Sequence, residues 1–120
     1  MMTQNQQPSL REKLYALFQI DLPIQGGSGE DLCSAIKIEY TGPAMFVAVQ
    51  YEVLELIFRE RNLEWEVHEQ RLHRENGRIY DVVQVIVLKD NDEHFPQLIE
   101  NYHFDITDCI EKDLTEDSPI

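Results

Sequence analysis

The sequence predicts an α+β fold in a single domain: an antiparallel sheet of about four strands, with one long and one short helix packed on it. Three observations carry that expectation. Residues 43–61 place apolar side chains at helical spacing, Asn76-Gly77 stands between two runs of β-type residues, and Leu98 to Ile106 alternates in the period of a strand. A length of 120 residues with 42% apolar content suffices for one core and is too short for two.

The elements follow in chain order. Residues 1–8 are polar and rich in glutamine, with nothing to bury, and are expected to be disordered. The domain is expected to span residues 9–112. Ser9-Leu10-Arg11-Glu12 reads as a capping box, in which the serine oxygen and the glutamate carboxylate each satisfy a helix-end N–H. Leu10, Leu14, Leu17 and Phe18 then trace a short helix to about Gln19. Pro23 and Gly26-Gly27-Ser28-Gly29 predict a loop, and Ser34 to Tyr40 a half-buried strand with Ile36, Ile38 and Tyr40 on one face.

Thr41-Gly42-Pro43 is a helix-start signal, since proline at the first helical position sacrifices no hydrogen bond. The helix should run to about Arg61. Its stripe is Phe46, Val49, Val53, Leu56, Ile57 and Glu60, widened by Met45, Leu54 and Phe58. Leu63 to Arg74 and Arg78 to Lys89 form a hairpin about Asn76-Gly77, where both turn residues tolerate positive φ. With Glu75 opposite Arg78, a regular ladder sets His73 against Tyr80, Arg71 against Val82, Val67 against Ile86 and Trp65 against Leu88. One face would gather Trp65, Val67, Tyr80, Ile86 and Leu88; the other would gather Leu72, Ile79, Val83, Val85 and Val87. A second strand apolar on both faces belongs at the centre of the sheet.

Residues 95–110 fit two patterns. Phe95, Leu98, Ile99, Tyr102, Ile106 and Ile110 suit a helix, but the alternation from Leu98 to Ile106 favours a strand beside the central one. Residues 113–120 read as an acidic disordered tail.

Charge is unevenly spread. Of a formal net charge of −13, residues 90–120 supply −9, from ten acids against Lys112 alone. Such a surface repels nucleic acid and anionic lipid and steers basic partners towards it. No apolar run approaches the roughly 20 residues of a membrane span, and the N-terminus lacks the basic and apolar regions of a secretory signal, so the expected location is the cytoplasm. Cys33 and Cys109 lie far apart without neighbouring cysteines, which favours free structural thiols.

Catalytic patterns are weak. The Gly26-Gly27-Ser28-Gly29 loop could wrap main-chain N–H groups round an anion, yet no lysine follows, and Glu30 and Asp31 would repel a phosphate; the plainer reading is a tight turn. His68 and His73 have one residue too many between them for the zinc-protease spacing, and a metal site would need His94 or His103 brought alongside. Asp90-Asn91-Asp92 lacks the glycine and the twelfth-position glutamate of a calcium loop. Asp81 and Asp105 interrupt apolar strands, where desolvation could tune a carboxylate for acid–base work, but the plainer reading is a solvated or loop-bound side chain. No metal or cofactor is expected.

Three segments look familiar together: Leu22-Pro23-Ile24-Gln25-Gly26-Gly27-Ser28-Gly29 with Ala35-Ile36-Lys37-Ile38, then Asn76-Gly77-Arg78-Ile79-Tyr80-Asp81, then Phe104-Asp105-Ile106-Thr107. They resemble a loosely defined group of small bacterial proteins of unknown function. That group shares a Pro-Ile-x-Gly-Gly-x-Gly opening, a helix, a meander with Tyr-Asp and a terminal Phe-Asp-Ile strand. The resemblance spans about residues 22–110 and implies a strand at Phe104 to Ile106, but no activity. Cys109 departs from it, standing where an aromatic residue is usual, as does the long stretch from Glu93 to Asn101.

The expected function is a non-enzymatic, acidic protein-binding module, of the immunity or inhibitor kind, that meets a basic partner through Asp105, Asp108, Glu111 and Asp113. The alternative is a small-molecule or anion-binding domain or weak hydrolase that uses Gly26, Gly27, Ser28 and Gly29 with Asp105 and His103 nearby. A third reading is a structural homodimer sharing Tyr51, Leu54 or Phe58 of the long helix.

Overall fold

The computed structural model describes residues 7–88 and 98–116, with side chains to Leu114. The chain runs α1 (Leu10–Phe18), β1 (Ile24–Gly26), β2 (Ile36–Ile38), α2 (Met45–Arg61), β3 (Glu64–Glu75), β4 (Arg78–Leu88), β5 (Leu98–Asp105), α3 (Thr107–Glu116). The fold is α+β in one domain, but its sheet has five strands in the order β1-β2-β5-β4-β3 and is mixed. The expectation of about four antiparallel strands and two helices is corrected in three places. β1 is a three-residue strand where only a loop was expected, β2 pairs parallel with β5, and α3 is a third helix.

Helix α1 begins as its capping box dictates: Ser9 Oγ accepts from Glu12 N at 3.1 Å, and Glu12 Oε1 accepts from Ser9 N at 2.9 Å. Arg11 ties it to the connection ahead of β1 through two bonds to Asp21, at 2.7 and 3.1 Å. Helix α2 starts two residues later than the proline signal implied. Ala44 takes a left-handed conformation at φ 58°, and its N–H donates to Asp113 Oδ2 of α3 at 3.0 Å. A carboxylate from another helix thus satisfies the main-chain N–H of the N-cap residue, which has no side-chain cap of its own.

Helix α2 buries Val49, Gln50, Val53, Leu54, Leu56 and Phe58. These meet one face of the sheet, which presents Val83, Val85 and Val87 from β4 and Tyr102 and Phe104 from β5. Phe58 stacks on Trp65 at 5.7 Å between ring centres and meets the edge of Tyr102 at 5.9 Å. Leu54 and Phe58 are fully buried within the chain, so two of the three side chains that would have formed a dimer surface belong to the core. Among the described residues no helix is long and apolar enough to cross a membrane.

The hairpin register is regular only near its turn. Pairs from Glu75 with Arg78 to Glu69 with Gln84 follow expectation; past a bulge at His68, Val67 opposes Val85 and Trp65 opposes Val87. The extra residue turns Trp65 and Val67 onto the face of Val85 and Val87, where α2 packs, instead of the face of Ile86 and Leu88. Leu72, expected on the face of Val83, Val85 and Val87, pairs with Asp81 and is 60% exposed.

Asp81 is a further departure from the plain solvated reading. It is 7% exposed, and its Oδ2 accepts from Gln50 Nε2 at 2.8 Å and Gln70 Nε2 at 3.1 Å. Two amide dipoles compensate the buried carboxylate, as burial of charge requires.

Helix α3 closes the end of the sheet where β2 and β5 finish and β4 begins. Cys109 Sγ lies 3.5 Å from Ile38 O, and Thr107 Oγ1 accepts from Ile79 N at 2.8 Å. The helix runs through Glu116, and so takes in the first residues of the stretch expected as an acidic tail.

Candidate functional site

A cleft of about 580 Å³ opens where α1, α2, the glycine loop and β5 converge. Helix α1 supplies Leu10, Lys13 and Leu14, α2 supplies Ile57, Glu60 and Arg61, the loop supplies Ser28 and Glu30, and β5 supplies Glu100 to His103. Its apolar base comes from the helix stripes.

The loop is shaped by main-chain bonds. Gly27 N donates to Ala35 O at 3.2 Å and Gly29 N to Ser34 O at 2.8 Å, so these N–H groups are turned inward and spent. That is the geometry of a tight turn feeding β2, and it withdraws two of the donors an anion would need. Gly29 has φ 88°, and a Cβ there would press on Ile36 Cδ1 at 3.0 Å. The glycine lets the loop approach β5, where Gly29 O accepts from His103 N at 2.8 Å. His103 Nδ1 lies 2.9 Å from the same carbonyl. A carbonyl only accepts, so Nδ1 carries the proton and a neutral His103 ring offers Nε2 as an acceptor. Asp31, whose Oδ1 accepts from Ser34 N and Oγ at 2.9 Å each, fixes the far side of the loop. Those bonds hold its carboxyl below the ordinary value.

On the opposite wall Arg61 grips Glu100 with two bonds, at 2.6 and 2.8 Å, and Tyr102 OH donates to the same carboxylate at 2.7 Å. The Arg61 guanidinium lowers the Glu100 pKa, and the Tyr102 hydroxyl adds to that effect. Burial, followed by the adjacent carboxylate, raises the Tyr102 pKa, so the phenol stays protonated. Lys13 lies 3.9 Å from Glu60. Glu30 is exposed and has no ion-pair partner among the described residues. The cleft therefore holds three acids against two bases, both bases already engaged.

The four acids expected to meet a partner sit elsewhere, and three of them work inside the fold. Asp105 Oδ2 accepts from Arg78 Nε and Nη2 at 3.1 and 2.9 Å, and its Oδ1 accepts from Thr107 N and Oγ1 at 3.1 and 2.7 Å. Burial pushes this carboxyl up, but the Thr107 and Arg78 bonds outweigh burial and leave it below its ordinary value. Asp108 pairs with Lys37 at 3.4 Å, and Asp113 caps α2. Glu111 is exposed on α3. Of the glycine-loop set, only Ser28 lines the cleft, and Asp105 does not reach it.

The histidines do not assemble. His73 faces Glu75 at 3.2 Å, His68 forms the bulge, and His103 lies in the cleft. His94 and Asp90-Asn91-Asp92 lie outside the described residues. Among the described residues, no group of three or more His, Cys, Asp or Glu side chains could hold a metal ion. Cys33 is exposed and Cys109 buried, both free thiols.

Sequence reasoning missed Arg61, Glu100, Tyr102 and Lys13 as members of one site. Lys13 and Arg61 come from different helices and Glu100 from a strand far along the chain, so no local spacing announces them. Comparison with protein families, with curated proteins and with solved structures finds no match.

Proposed function

We propose that the protein is a non-enzymatic binding module that takes a basic segment of a partner protein into the cleft beside β5. The observation that carries this reading is the cleft's charge: Glu30 stands without an ion-pair partner among the described residues, beside acids that outnumber the bases. A chain of net charge −13 adds long-range attraction for a basic partner. Asp105 at the end of β5 and the acids of α3 serve this reading as background field, since Asp105, Asp108 and Asp113 already hold bonds of the fold.

A titration of the full chain with an acetylated, amidated heptapeptide of alternating lysine and valine tests it. Binding should weaken with added salt, and Glu30→Lys should weaken it about fivefold, the scale of one exposed charge pair. Binding indifferent to both salt and Glu30→Lys contradicts the reading.

One observation favours a second reading, a weak hydrolase. Ser28 and the acceptor nitrogen of His103 share the cleft. Turnover of a nitrophenyl ester that Ser28→Ala and His103→Ala each abolish would establish it, and turnover unchanged by both would dismiss it.

A further inference from the structure

The strand alternation of β5 says how such a segment would be held. β5 pairs with β4 over its whole length, from Tyr80 with Asp105 to Val87 with Leu98. On its other side it meets β2 only at Phe104 and Asp105. His103 N, which donates to Gly29 O, fixes which residues point their main chain that way. Successive residues of a strand direct their N–H and C=O groups to opposite sides, so those of Asn101 and Ile99 share the direction of His103. Ile106 N, donating to Ile79 O, confirms the opposite parity for the even residues. Neither Asn101 nor Ile99 has a main-chain partner on that side among the described residues. Asn101 lines the cleft.

We infer that a basic, extended segment of a partner protein binds as an added strand on this open edge of β5, bonded to the main chain of Asn101 and Ile99. The inference rests on the binding reading above and adds the mode. Alternate side chains of the added strand would turn towards Leu10, Leu14 and Ile57 on the helix side, and these should be apolar. Basic residues in the segment answer Glu30 and the acid excess of the cleft. Among the described residues, the short β2 and the loop held at Gly29 leave this position of the sheet unpaired between the helices and the edge, and an unpaired edge is a template for pairing.

The test uses the full chain and the alternating lysine–valine heptapeptide. Asn101→Pro deletes one of the two N–H groups at stake, on an edge where proline is tolerated, and should weaken the peptide at least about tenfold. Asn101→Ala keeps the main-chain N–H and should bind clearly more tightly than Asn101→Pro, because the Asn101 side chain accepts from Gln84 Nε2 and not from the edge. Should Asn101→Pro not fold, amide hydrogen exchange on the unaltered protein decides. Peptide should slow the Ile99 and Asn101 amides about tenfold or more and leave Glu100 and Tyr102, already bonded to β4, unchanged. Peptide that binds with the Glu30 dependence but leaves these amides and Asn101→Pro unaffected overturns the strand mode while the binding reading stands. Peptide that does not bind overturns both, and a peptide that instead dissociates a dimer of the chain assigns the edge to a second copy.

Discussion

Replacing Asp81 with valine should cost the fold about 3 kcal/mol, and replacing Gln50 as well should return most of that loss. Asp81 lies on β4 under α2, its Oδ2 bonded to Gln50 at 2.8 Å and Gln70 at 3.1 Å. Hydrogen bonds to a charged group contribute about 1.5–3 kcal/mol each. Gln70 is exposed, so its amide returns to water at little cost. Gln50 is 1% exposed, and its stranded amide forfeits about 1–3 kcal/mol more, offset in part by the apolar valine. Gln50 already carries a buried Oε1 with no partner among the described residues, so Gln50→Leu removes that defect while depriving Asp81 of one donor. The double substitution removes both halves of the polar pair and should lie within about 1 kcal/mol of the parent, a coupling of about 2 kcal/mol. Urea unfolding reads it: with a slope of about 1–3 kcal/mol/M, Asp81→Val should shift the midpoint by about 1–3 M. Additive losses in the double variant, or a loss below about 0.5 kcal/mol for Asp81→Val, would refute the argument that the pair is buried and mutually dependent.

Further outcomes follow from other contacts. Glu100 and Asp105 both have pKa values lowered by folding, so their stabilisation is fully present above the ordinary carboxylate range and is lost as pH falls through the folded values. The stability gap between the parent and Arg78→Met, read by urea midpoints along a pH series, should therefore be widest near neutrality and narrow in acid; a constant gap would count against the Arg78–Asp105 pair. Burial, reinforced by Asp113, Asp108 and Asp105, pushes the Cys109 thiol up to about 11, so a disulfide reagent at mildly alkaline pH should take one thiol, Cys33, quickly and Cys109 only on unfolding. Two equally fast thiols would contradict the packing of α3. Gly26→Ala should destabilise by about 2 kcal/mol or more by thermal melting, because φ is 94° and a Cβ would run into the Ala35 carbonyl oxygen; a neutral result would displace β1 from its place.

The parts of the fold written locally were legible. The Ser9 capping box, the Asn76-Gly77 turn and the alternation from Leu98 each concern neighbours in sequence, and each element lies where its signal placed it. What escaped depends on distant partners. The bulge at His68 carries no glycine or proline to mark it, yet it reassigns Trp65 and Val67 to the core. β1 is too short to show a period, and its existence depends on β2, as the parallel pairing of β2 depends on β5. Asp105, Asp108 and Asp113 suggested a surface for a basic partner because charge was visible and partners were not: Arg78, Lys37 and Ala44 come from three separate elements or their flanks. The cleft was half visible, through Ser28 and His103, and its Arg61–Glu100 wall was not.

An amide-resolved NMR titration with the lysine–valine heptapeptide distinguishes binding in the cleft from binding at α3. Shifts should concentrate at Ser28, Glu30, Ile99, Asn101 and His103, around the cleft and its open edge. Shifts confined to Asp108, Glu111 and Asp113 would contradict binding in the cleft and return the binding surface to the acidic helix.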